Sequence, residues 1–144
     1  MTSPQIYHLF VYGSLRSGFR SPAYEYISRY FDLVAEGKVR GKLYDMGEYP
    51  AAKPVTEDAW IAGELYISRN RDEFSWAIAQ LDDYEGVLVE SHEQPLYRRE
   101  LAEIILPEST QAAWIYWFNG PVEGRPVISS GDMIAYLNEK NQQP

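Results

Sequence analysis

Glu85 is the side chain in this 144-residue sequence with the best claim to proton-transfer chemistry. It follows Phe74, Ile78 and Leu81 at steps of four, three and four residues. At about 100° per residue, such positions share one face of a helix. A helix reaching Glu85 therefore aims its carboxylate along an apolar stripe, a direction that Asp82 and Asp83 do not share. A carboxylate on a buried face is costly unless it is bonded or neutral. The negative end of the helix dipole stands beside it. Both effects push a glutamate pKa upward, towards general acid/base use. The alternative is that the helix frays and Glu85 turns into water beside Gly86.

A second feature is the loop Tyr12-Gly13-Ser14-Leu15-Arg16, which follows the apolar run Tyr7 to Tyr12. A strand passing through glycine into a tight turn exposes successive backbone N–H groups, and such a nest binds carboxylates and oxyanions. The plainer reading is an ordinary strand-to-helix turn in which Gly13 serves only its dihedrals. No Gly-Lys-Ser/Thr follows, so the loop is not a P-loop. Further along, Arg98 and Arg99 are candidates to clamp a carboxylate, or else solvated strand residues. Trp114 and Tyr116 share one strand face, as cavity lining or as core. Glu100 and Glu103 are oddly spaced in a strand, so they face opposite sides and make a poor carboxylate pair.

What is missing narrows the chemistry. With no cysteine there is no disulfide, thiolate nucleophile or cysteine zinc site. The histidines are His8 and His92, far apart in the chain, so no metal site is expected. A net charge of −8 repels phosphate backbones and anionic lipid surfaces, which argues against nucleic acid and membrane as partners. No stretch approaches the roughly 20 apolar residues of a membrane span, and the first residues do not show the basic and then apolar pattern of a signal peptide, so none is expected. A cytoplasmic protein with no required protein partner is expected, and 144 residues suit a single domain over 1–144.

The elements that must position these residues follow from pattern. Tyr7 to Tyr12 reads as a strand buried on both faces. Ser21 and Pro22 open a helix carrying Tyr26, Ile27, Tyr30 and Phe31. Val34 to Met46 and Trp60 to Ile67 read as extended, with Pro50 and Pro54 marking a loop between them. Asp72 to Tyr84 is a helix with Gly86 at its C-terminal cap. Arg98 to Leu106 and Ala112 to Phe118 are strands, and Met133 to Leu137 is a short last helix before a frayed tail. The order β-α-β-β-α-β-β-α predicts an α+β fold, with a mixed, mostly antiparallel sheet curled into a small barrel. A doubly wound sheet is the runner-up, disfavoured because consecutive strands lack crossover helices.

Taken together, the residues resemble the γ-glutamylcyclotransferase-like family, which includes γ-glutamylaminecyclotransferases. The matching pieces are Val11-Tyr12-Gly13-Ser14-Leu15-Arg16, Leu81-Asp82-Asp83-Tyr84-Glu85-Gly86, Tyr97-Arg98-Arg99, Ala113-Trp114-Ile115-Tyr116 and Ser130-Gly131-Asp132. They occur in family order over residues 7–137. Met133 stands where the family often has tryptophan. The resemblance implies a small β-barrel decorated by helices, with Glu85 as the catalytic acid/base. It also implies a backbone-lined substrate pocket at Tyr12, Gly13, Ser14 and Leu15, with Tyr97 and Tyr116 added to the substrate-binding set. The implied reaction is cofactor-free release of 5-oxoproline from a small γ-glutamyl compound. The implied alternatives are a small-acid-binding or scaffold protein of the same fold, and cleavage of γ-glutamyl groups from an antibiotic or cross-linked peptide.

Overall fold

The computed structural model describes residues 6–13, 22–47, 50–85 and 96–142, with the backbone alone at 22–24, 84–85 and 140–142. In chain order the elements are β1 (His8–Val11), α1 (Pro22–Tyr30), β2 (Phe31–Arg40), β3 (Lys42–Asp45), β4 (Pro50–Lys53) and β5 (Trp60–Ser68). A 3₁₀ turn (Arg71–Glu73), α2 (Phe74–Glu85), β6 (Tyr97–Ile105), β7 (Thr110–Phe118) and α3 (Met133–Gln142) follow. Five of these strands close into a barrel in the order β1-β5-β2-β6-β7, while β3 and β4 form a separate two-stranded sheet. Neighbouring barrel strands run antiparallel except β1 and β7, which meet in parallel with Leu9 opposite Trp114. This is the α+β barrel that the element order predicts, and the doubly wound alternative is excluded. No described helix is long and apolar enough to cross a membrane.

Alternation along the strands divides the apolar residues into two layers. Phe10, Val39, Ile61, Leu65, Ile104, Ala113, Ile115 and Trp117 fill the barrel interior. Leu9, Val11, Phe31, Tyr66, Tyr97, Tyr116 and Phe118 point the other way and are covered by Ile27 of α1 and by Phe74, Ala77, Ile78 and Leu81 of α2. The apolar run Tyr7 to Tyr12 is thus buried on both faces from Leu9 to Tyr12. Each large side chain on the α2 stripe contributes about 1.5–3 kcal/mol by leaving water. Met133, Tyr136 and Leu137 of α3 pack against the inner layer.

Four local expectations are corrected. Phe31 begins β2 instead of ending α1, because it pairs with Ser68 and is almost fully buried there. The stretch 34–46 is two strands, broken at Gly41, where a Cβ would lie 2.9 Å from the Lys53 carbonyl oxygen. The proline-marked loop contains a strand, β4. Pro50 takes its first position, where a missing N–H is tolerated, and Ala51 and Ala52 are fully buried. Finally, α3 runs on to Gln142, past the expected end at Leu137. Its start is fixed by Asp132, whose Oδ1 accepts from the Ile134 and Ala135 N–H groups. Gly131 has φ +68°, and a Cβ there would lie 1.9 Å from the Trp60 carbonyl oxygen. Ser130-Gly131-Asp132 is therefore a joint between β5 and α3.

Candidate functional site

Of the predicted site residues, Tyr97 and Tyr116 lie in the outer layer that α2 covers, and Tyr12 lies in the inner layer. Phe74, Ile78 and Leu81 are buried as their spacing predicts, and α2 runs far enough that Glu85 is its last residue. The fraying alternative is thereby set aside for the backbone. The Glu85 side chain, with Ser14, Leu15, Ser21 and Gly86, lies outside the described residues.

Asp82 departs from expectation. Read as off the stripe, it is only 6% exposed. Its Oδ1 accepts from Arg99 Nε at 2.7 Å and its Oδ2 from Arg99 Nη2 at 3.0 Å. The Tyr116 hydroxyl donates to the same Oδ1 at 2.9 Å. A bidentate ion pair with a third donor satisfies a buried carboxylate. The buried face is wider than the apolar stripe, because Arg99 on β6 and Tyr116 on β7 supply polar partners for Asp82. Arg99 is accordingly not a solvated strand residue: its side chain is 22% exposed and paired with Asp82. Its guanidinium also lies over the Trp114 ring, 4.5 Å from the centroid.

Tyr12 directly follows β1. Its hydroxyl donates a short hydrogen bond to the Tyr116 carbonyl oxygen, so the start of the glycine loop is tied to β7. Gly13 stands against Pro50, and a Cβ there would come within 3.1 Å of the proline Cγ. The Pro50 carbonyl oxygen accepts from the Tyr97 hydroxyl at 2.8 Å. Tyr12, Gly13, Tyr97 and Tyr116 are thus linked through β4 and β7. Trp114 and Tyr116 do share the outer face, and the Trp114 Nε1–H donates to the Ile6 carbonyl oxygen at 3.0 Å.

Glu64 is a further carboxylate that pattern reading passed over as one residue of an alternating strand. It is 5% exposed, accepts from the Tyr66 hydroxyl at 3.0 Å and lies opposite Val11 in the β1–β5 register. The available signal was a glutamate on the same strand face as a buried tyrosine. Arg98 donates to Glu100 and, at 3.0 Å, to Asn119 Oδ1. Nearby Lys53 is held below the usual lysine range, chiefly by burial and then by Arg98, with Glu123 opposing. Burial first, and Tyr30 second, push the Tyr26 hydroxyl up to about 12, so it stays a neutral donor to the Ala77 carbonyl oxygen and joins α1 to α2. Among the described residues, no three His, Cys, Asp or Glu side chains are grouped to hold a metal ion.

Comparison with known proteins bears on what such an arrangement does. A family model described as gamma-glutamyl cyclotransferase, AIG2-like matches residues 9–135. Among solved structures, YkqA from Bacillus subtilis is similar with a TM-score of 0.72 at 20% identity, over 96% of this chain and 44% of that one. This chain therefore spans less than half of YkqA. An AIG2-like protein from Mus musculus has a TM-score of 0.63 at 20% identity, over 85% and 86% of the two chains. The protein ytfP from Escherichia coli has a TM-score of 0.63 at 27% identity, over 90% and 97%. No curated protein matches the chain.

Proposed function

The chain belongs to the gamma-glutamyl cyclotransferase, AIG2-like family, and from that premise we propose that it converts a small γ-glutamyl compound into 5-oxoproline and a free amine. The α-amine nitrogen attacks the γ-carbonyl carbon of the same residue and closes a five-membered ring. The C–N bond to the leaving amine then breaks. Both reacting groups already belong to one molecule, so the protein's main task is to hold the ring-closing conformer. Glu85 takes a proton from the attacking amine and returns one to the leaving nitrogen. Both nitrogens sit on one carbon in the tetrahedral intermediate, so a single carboxyl group serves both transfers. The N–H groups of the loop from Tyr12 to Leu15 receive the substrate's α-carboxylate, with Tyr97 and Tyr116 beside them. The protein works in the cytoplasm, without a cofactor or protein partner.

The observation that carries this reading is that α2 persists to Glu85 while the hydroxyl of Tyr12 and that of Tyr116 tie the loop, β7 and α2 together. The engagement of Arg98 and Arg99 by Glu100 and Asp82 supports the loop over the arginines as the anion site. Incubation with a panel of γ-glutamyl dipeptides and γ-glutamyl amines, followed by assay of 5-oxoproline, is the test. Turnover of at least one member is expected, with Glu85→Gln slowing it by about 10²–10⁴-fold at unchanged melting temperature. Near-wild-type turnover by the Gln variant, or no 5-oxoproline from any member, would overturn it.

A further inference from the structure

Asp82 takes no part in the chemistry just proposed, yet it occupies the last turn of α2, three residues before Glu85. Residues three apart on a helix are neighbours on its surface. Asp82 ties α2 to the barrel strands by polar contacts, to Arg99 on β6 and to Tyr116 on β7. The helix does not need them for attachment, since Phe74, Ala77, Ile78 and Leu81 already bury its apolar face. Apolar packing is non-directional, and helix ends fray. A bidentate carboxylate–guanidinium contact instead fixes both distance and rotation. Such a buried pair is often no more stabilising than an apolar pair of similar volume, so its presence at this turn points to geometry over stability. The partners are themselves held: Arg99 lies over Trp114, and the Tyr116 main chain accepts the Tyr12 hydroxyl.

We infer that Asp82 is a positioning residue which, through Arg99 and Tyr116, locks the last turn of α2 onto the β6–β7 hairpin and so sets where Glu85 stands relative to Tyr12. The inference rests on the cyclotransferase reading, and two measurements separate their failures. The first needs no substrate. In Asp82→Asn, the Tyr84 and Glu85 amides should exchange with deuterium about tenfold faster relative to those of Ile78 to Leu81, as a local opening of the last turn requires. An unchanged ratio would overturn the inference. The second uses whichever γ-glutamyl compound the wild type converts. In Asp82→Asn, kcat should fall by about 10–100-fold, as expected for a reacting group displaced by an ångström or less, with KM within about threefold. In the double variant Asp82→Leu/Arg99→Met the melting temperature should match or exceed the wild type while kcat stays low. Recovery of kcat together with stability in that variant would show a merely structural role and overturn the inference. Wild-type turnover by Glu85→Gln would instead defeat the acid/base assignment, and the exchange ratio would still decide whether Asp82 holds the turn.

Discussion

The inside of the barrel and its α2-covered outer face are built from the same strands, residue by residue, and they differ in kind. Ile115 and Tyr116 are consecutive on β7, yet Ile115 belongs to the inner layer and Tyr116 to the outer one. The inner layer is filled by aliphatic and aromatic side chains, Tyr12 among them. The outer face holds Glu64, Asp82 and the hydroxyls of Tyr66, Tyr97 and Tyr116, each bonded to a protein partner. A close-packed apolar interior gives stability and rigidity, but it offers nothing to a polar substrate. The helix-covered face accepts the cost of buried polar groups and gains fixed donors and acceptors. Strand alternation thus places the tyrosines Tyr66, Tyr97 and Tyr116 in the outer layer and Tyr12 in the inner one.

The sharpest way to break this division is at Gly63, which faces inward between Ile61 and Leu65. A Cβ there would lie 2.3 Å from the Val11 carbonyl oxygen and 2.6 Å from Phe10 Cζ. Gly63→Ala should force β1 from β5 and lower stability by roughly 3 kcal/mol or more. A chemical denaturation midpoint within error of wild type would show that the inner layer tolerates what the geometry forbids.

A paired comparison at Ile115 and Tyr116 comes next. Ile115→Ala leaves a void in the barrel and should cost about 2–5 kcal/mol. Tyr116→Phe removes one hydrogen bond to Asp82, which keeps its bidentate arginine, and should cost about 1.5 kcal/mol. Turnover per folded molecule should reverse that ranking, being nearly kept in Ile115→Ala and lowered in Tyr116→Phe. Denaturant melts and 5-oxoproline assays on both variants check it, and equal loss of turnover in the two would dissolve the distinction.

The smallest effect belongs to His8, at the start of β1. Burial first, and Arg71 second, hold its pKa below the usual histidine value of 6.5. The folded protein therefore binds a proton less readily than the unfolded chain. Stability is fully present above the unfolded value and is lost as pH falls through about 6.5 towards the lower folded pKa. His8→Gln should flatten that part of the stability curve. Identical wild-type and variant slopes between about pH 5 and 7 would contradict it.

Much of this was legible from residue order. Short-range periodicity marked β1, α1, β5, α2, β6 and β7, and it marked the stripe through Phe74, Ile78 and Leu81 that runs towards Glu85. Such patterns are visible because a helix or strand repeats its facing every few residues, so burial writes itself into neighbouring positions. The β4 strand escaped because two prolines dominate its surroundings, and its burial comes from alanines too small to announce a core. Asp82 escaped for a deeper reason. Its partners lie 17 and 34 residues further along the chain, on two different strands. Seen locally it is one acid of a polar pair, and nothing within a helical turn distinguishes it from Asp83. Whether a carboxylate can be buried depends on whether donors meet it in space, and that was decided only when the β6–β7 hairpin folded beneath α2.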